Sequence, residues 1–278
     1  MLRFIVIAVA LLGSCPGMAA NCVVSKHFTA QLLAESRTPA PGSQLTLALQ
    51  IQPERGWHTY WKNPGETGFP PRAEWTLPAG FTAGELKFPL PTELVVDGFR
   101  SNVLEGNVIL LTQLAIPATF PKGTLIPIGL NLNLAICSMG QCLPRKIKLD
   151  LSLVSGNGKP DTGQIALFKK ARGALPSPVD GSIGYQLSDK TFELLSPLPA
   201  ADDIVSANVF FEGEGIVAGG DQRLENKDGK IAIAMPRGNI HIGAALSGVI
   251  RIVHSGQANE HNVIRGYRFV AQPAVASP

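Results

Sequence analysis

The chain has 278 residues, 45% hydrophobic and 16% charged, with a formal net charge of +3. That balance provides core material for one large or two ordinary domains and excludes an intrinsically disordered chain. Lysines and arginines are scattered, with no basic run or aromatic-interleaved stripe to serve a nucleic acid, so no nucleic-acid partner is expected.

The first segment has the layout of a secretory signal peptide over residues 1–20. Arg3 precedes an apolar run at residues 4–12, and Gly17-Met18-Ala19-Ala20 offers small residues to a signal peptidase. The run is too short to span a bilayer, which takes roughly 20 residues. Later apolar stretches are no better, and Asn131 and Asn133 interrupt the longest. The expectation is export to a periplasm, with no transmembrane segment in the mature chain. Leu12-Gly13-Ser14-Cys15 also passes as a lipoprotein cleavage site, which would leave a lipid on Cys15.

From Phe28 onward the pattern is that of strands. Leu45, Leu47, Leu49 and Ile51 alternate with polar or small residues, as do Ile147, Leu149, Leu151 and Leu153. Residues 108–114 are strand-like and less regular. Turn signals such as Asn63-Pro64-Gly65 and Leu77-Pro78-Ala79-Gly80 separate the runs. Short strands broken by such turns predict an all-β antiparallel sandwich over residues 23–155. A linker at residues 156–178 includes a short helix with Ile165, Leu167, Phe168 and Ala171 available for one face. Strand signals return at residues 192–195, 207–211, 231–235 and 249–253. They predict a second, smaller β-domain at 179–271, followed by a tail at 272–278. Its glycine clusters lack the strand-to-helix context of a phosphate loop. It is expected to orient the first domain or dock a partner.

Two features carry chemistry. Cys137 and Cys142 flank Ser138-Met139-Gly140-Gln141, after the alternating residues Leu132, Leu134 and Ile136. The pair is expected at a hairpin end, with Gly140 easing the reversal. As a staple, so short a loop is worth only about 2 kcal/mol in the chain-entropy model. Cys22 has no evident partner and reads as a surface thiol. The second feature is the segment Gly56-Trp57-His58-Thr59-Tyr60-Trp61-Lys62-Asn63-Pro64-Gly65-Glu66-Thr67-Gly68. Trp57 and Trp61 would share one face of a strand and bury against the opposing sheet.

That segment is followed by Trp75-Thr76-Leu77-Pro78, then Phe88-Pro89-Leu90-Pro91, then a cysteine pair closed by Cys142-Leu143-Pro144. The order resembles the periplasmic N-terminal region of the DsbD/ScsB family of thiol:disulfide interchange proteins, over about residues 23–154. The resemblance implies an immunoglobulin-like β-sandwich whose catalytic pair, Cys137 and Cys142, passes electrons to periplasmic acceptors in protein-disulfide reduction. It implies thioredoxin-like or membrane electron-transfer partners, and no cofactor or metal. Three features depart from the family: these residues hold no Cys-x-x-Cys, they include neither a membrane domain nor a thioredoxin-like domain, and Leu134, Ala135 and Ile136 stand where an aromatic residue often precedes the first cysteine. Electrons would then arrive from another protein. Cys142, with Arg145 and Lys146 nearby, is expected to attack and Cys137 to resolve.

Two alternatives stay open. One is a non-catalytic binding scaffold with a structural disulfide. The other is a periplasmic Cu(I)-binding protein using Cys137, Met139 and Cys142, with His58 approaching. The remaining histidines, His27, His241, His254 and His261, are assigned no role.

Overall fold

The computed structural model describes residues 21–217, 220–240, 245–256 and 261–274. The signal segment, with its Cys15 alternative, and the end of the tail lie outside the described residues. In chain order the strands begin with β1 (Cys22–Ser25), β2 (Phe28–Ala34), β3 (Gln44–Pro53), β4 (His58–Gly65), β5 (Arg72–Thr76) and β6 (Thr82–Ala83). Then come β7 (Thr92–Val96), β8 (Phe99–Glu105), β9 (Val108–Ala115), β10 (Leu125–Cys137) and β11 (Cys142–Val154). Helix α1 (Ile165–Gly173) is followed by β12 (Ser177–Pro178), β13 (Ile183–Leu187), β14 (Thr191–Pro199) and β15 (Ile204–Phe211). The last strands are β16 (Arg223–Lys227), β17 (Lys230–Pro236), β18 (Leu246–His254) and β19 (Val263–Pro273).

The first eleven strands form two sheets, ordered β1-β2-β3-β9-β6 and β11-β10-β4-β8-β7, with β5 also paired to β10. The apolar period of two explains why they face each other. Leu47 and Leu49 of β3 and Leu110 of β9 meet Ile126, Ile128, Leu130, Leu132, Leu134 and Ile136 of β10 in one buried cluster. The fold is an all-β, immunoglobulin-like sandwich followed by a second β-unit. In that unit the sheet runs β15-β18-β19-β13-β14-β17-β16, with β12 beside β19, around its own core of Tyr185, Phe192, Ile233 and Ile250.

Helix α1 braces the sandwich. Phe168 and Ala171 bury on Leu33, Ala48, Ile109 and Leu111, covering the outer face of the first sheet. Ile165, expected on the same face, stays half exposed. Arg172 pairs with Glu35 and holds its carboxyl below the ordinary value.

The sandwich and the second β-unit share a core boundary built from the tryptophan segment. Trp61 is buried as expected, and its ring meets Phe210 of β15 edge-on at 6.4 Å. Lys62 Nζ lies 3.0 Å from Glu212 Oε1. The buried Asn63 amide donates to the carbonyls of Phe211 and Ile216, each at 2.9 Å. Trp57, by contrast, precedes β4 and stacks on His27 at 3.8 Å, only partly buried. The predicted turn at 63–65 also lies one step later: β4 continues through Gly65, and the reversal follows it. Among the described residues no helix is long and apolar enough to cross a membrane.

Asn63→Ala would strip the Phe211 and Ile216 carbonyls of their donor at a buried boundary. The expected loss is about 1–3 kcal/mol of stability, read as a lower midpoint in chemical denaturation. An unchanged midpoint would mean that this side chain does not tie the two units together.

Candidate functional site

Cys137 ends β10 and Cys142 begins β11, directly opposite each other in the hairpin register. Their Cα atoms are 4.0 Å apart and the sulfurs are bonded. Beyond them the Ser138 N–H donates to the Gln141 carbonyl at 2.7 Å, leaving Met139 and Gly140 as the turn. Met139 is 67% exposed. Gly140 is not in the left-handed region, and a Cβ there would meet open space, so the hairpin does not depend on glycine at this position.

The two cysteines sit in different environments. Cys137 is 2% exposed and packs with Tyr60, Val103 and Ala135, with Phe69 and Leu94 against the cluster. Cys142 is exposed. Position in the sheet accounts for this: Cys142 lies on the edge strand β11, whereas Cys137 lies between β11 and β4, and alternation along β10 turns Ala135 and Cys137 to the face opposite Leu134 and Ile136. On that face the segment after β4 forms a cover. Glu66 is bonded to the Arg100 backbone through both its N–H (2.8 Å) and its carboxylate (2.6 Å). Thr67 meets Ser101 at 2.5 Å between hydroxyl oxygens. Gly68, at φ +75°, lies so close to Tyr60 that a Cβ would stand 2.1 Å from the ring. Burial in turn pushes the Tyr60 phenol up, with Thr67 partly offsetting it.

The register adds a further neighbour. Cys137 pairs with His58 of β4, and His58 with Glu105 of β8. His58 is buried, and desolvation lowers its pKa against a smaller opposing pull from Glu105. Of the groups singled out from sequence, Cys137, Cys142 and His58 come together here. Met139 stays at the exposed turn. Arg145 and Lys146 take opposite faces of β11. Arg145 alternates to the other face and donates to the Pro144 carbonyl at 3.0 Å. Lys146 shares the face of Cys142, four residues and roughly 13 Å of backbone rise along the strand. Cys22, read as a free surface thiol, is disulfide-bonded. The other described histidines with contacts lie elsewhere: His27 pairs with Glu54 and His254 with Asp203. Tyr60, Phe69 and Glu105 were not picked out from sequence. Tyr60 lay within the tryptophan segment, but nothing local marked Phe69 or Glu105.

These contacts separate two glycines. Gly68→Ala should displace the cover or the Tyr60 ring and raise the alkylation rate of reduced Cys137 by about tenfold. Gly140→Ala should leave that rate and the melting temperature within error. Equal effects from both would contradict the assignment of the cover to residues 66–69.

Comparison with known proteins follows the same outline. The model of the family described as thiol:disulfide interchange protein DsbD, N-terminal, matches residues 29–153. No curated protein sequence matches the chain. The structure is similar to the N-terminal periplasmic domain of ScsB from Proteus mirabilis, with a TM-score of 0.66 at 17% identity, covering 92% of this chain and 98% of that one. It is also matched, at a TM-score of 0.31 and 12% identity, to the reduced N-terminal domain of DsbD from Neisseria meningitidis, covering 49% and 92% of the two chains. The first likeness extends the fold correspondence beyond the sandwich into the second β-unit. The cysteine hairpin lies within residues 29–153, the stretch that matches the DsbD N-terminal family model, and the fold around it is that of the ScsB N-terminal domain.

Proposed function

We propose that this protein is a periplasmic thiol:disulfide exchange module that passes electrons through Cys137 and Cys142. The observation that carries the reading is the unequal burial of an aligned pair at the open end of a DsbD-type hairpin. Exchange needs one sulfur that a partner can reach and a second held close behind it. Cys142 is exposed and Cys137 is 2% exposed, with Cα atoms 4.0 Å apart.

In the reduced form the Cys142 thiolate attacks a partner disulfide, forming a mixed disulfide and releasing one partner thiolate. Cys137 then attacks the Cys142 sulfur, closes the intramolecular disulfide and releases the second partner thiol. Two electrons leave the pair for the partner, and the reverse sequence reloads it. The cover at residues 66–69 keeps Cys137 from reacting with unrelated thiols. The second β-unit fixes the outgoing end of β4, from which the cover springs, through its bonds to Asn63. Partners of this chemistry are thioredoxin-like or membrane electron-transfer proteins. Export by the segment at residues 1–20 places the module in the periplasm, where the Proteus mirabilis ScsB domain is also described.

Single-cysteine variants test the order of events. With a thioredoxin-like partner disulfide, Cys137→Ser should accumulate a mixed disulfide on Cys142. Cys142→Ser should form it at least about tenfold more slowly, because its remaining sulfur is buried. A stable adduct through Cys142→Ser and none through Cys137→Ser would reverse the roles. No adduct from either would favour a structural staple.

A further inference from the structure

In the exchange cycle proposed above, Cys137 must attack from inside an apolar cluster of Tyr60, Val103 and Ala135. Apolar surroundings hold a thiol in its protonated, weakly nucleophilic form. A resolving thiol placed there needs a base within reach.

The sheet register supplies one. Residues directly opposed in an antiparallel pair project to the same face, with Cβ atoms roughly 4.5–5.5 Å apart. Cys142 opposes Cys137, Cys137 opposes His58, and His58 opposes Glu105. The four side chains therefore form one row across β11, β10, β4 and β8, running exposed, buried, buried, exposed. The His58 side chain is one of few buried polar groups in the sandwich, at 5% exposure. Its ring meets Tyr60 edge-on at 5.4 Å and makes no hydrogen bond to another described residue. The titratable groups that face it are Cys137 from β10, with Cys142 behind it on β11, Glu105 from β8, and Tyr60 on its own strand.

Resting on the thiol-exchange reading, we infer that His58 is the general base of the resolving step and that Glu105 is its positioning residue. The Cys137 S–H bond breaks and its proton passes to the neutral imidazole. The sulfur's electron pair forms the Cys137–Cys142 bond. The bond from Cys142 to the partner sulfur breaks, and its electrons leave on the partner as thiolate. The imidazolium, stabilised by the Glu105 carboxylate, returns the proton to that thiolate or to water. The pair is oxidised and the partner disulfide is reduced. Loading the pair runs the same transfer backwards, with the imidazolium protonating Cys137 as it leaves. Burial favours the neutral ring, so the base form prevails at neutral pH.

The test is stopped-flow reaction of the reduced protein with dithiobis(nitrobenzoate), which releases one coloured thiolate when Cys142 attacks and a second when Cys137 resolves. His58→Phe should slow the second phase by about tenfold or more at neutral pH and leave the first unchanged. In the unmodified protein the second phase should slow as pH falls through a midpoint below the ordinary imidazole value of about 6.5. Glu105→Gln removes the attraction that favours the imidazolium, so it should move that midpoint lower. Glu105 is exposed, so this variant keeps the test open if His58→Phe does not fold. A second phase unaffected by His58→Phe, or a midpoint unmoved by Glu105→Gln, overturns the inference while leaving thiol exchange intact. Absence of the first phase overturns the exchange reading, and this inference with it.

Discussion

Strand β10 serves the sandwich core and the candidate site at once, and its register reconciles the two. Its even-numbered residues from Ile126 to Ile136 fill the space between the sheets, while Ala135 and Cys137 turn to the opposite face. The strand pairs with β11 along its whole length, with β5 over residues 129–133, and with β4 only at Cys137 and His58. A slip of one residue would drive Cys137 into the core and expose Ile136. The apolar repeat that stabilises the sandwich thus also dictates where the sulfur emerges and which side chain lies beside it.

The tryptophan segment has a similar double use. Odd positions at its start, and even ones, divide between the two faces of β4. His58 and Tyr60 face the cysteine cluster, and Trp61 joins the buried core beside Phe210. Asn63 then carries the strand's end into the second β-unit through two buried hydrogen bonds. The cover over Cys137 begins three residues later and is held by Arg100 and Ser101 of β8. Arg100 itself pairs with Glu93 and with Asp221 of the second unit. Sandwich, cover and second unit are therefore linked through a few side chains of β4 and β8.

Much of this was legible in the sequence. The period-two runs at residues 45–51 and 147–153 located their strands because one face of each is buried, and the close cysteine spacing located the hairpin end. The long tryptophan segment carries the resemblance to the DsbD N-terminal family, whose model matches residues 29–153. What escaped were relations across strands. Glu105 and His58 are 47 positions apart and meet only through the β4–β8 register. Chain proximity suggests two charges beside Cys142, but strand alternation sends Arg145 to the other face. Turns favour glycine, so Gly140 is expected to ease the reversal, yet its backbone is one that other residues adopt. The spacing of Trp57 and Trp61 suggests one strand for both, but the strand starts one residue after Trp57.

The central claim is that the Cys137–Cys142 disulfide is a working couple and not a staple. Its reduction potential, measured by equilibrating the purified protein with defined thiol buffers, tests that directly. An exposed Cys142 joined to a sheltered Cys137 predicts a value well above about −300 mV, in the range of labile disulfides. A value below that limit, with the bond resistant to thiols until the protein unfolds, would contradict the account.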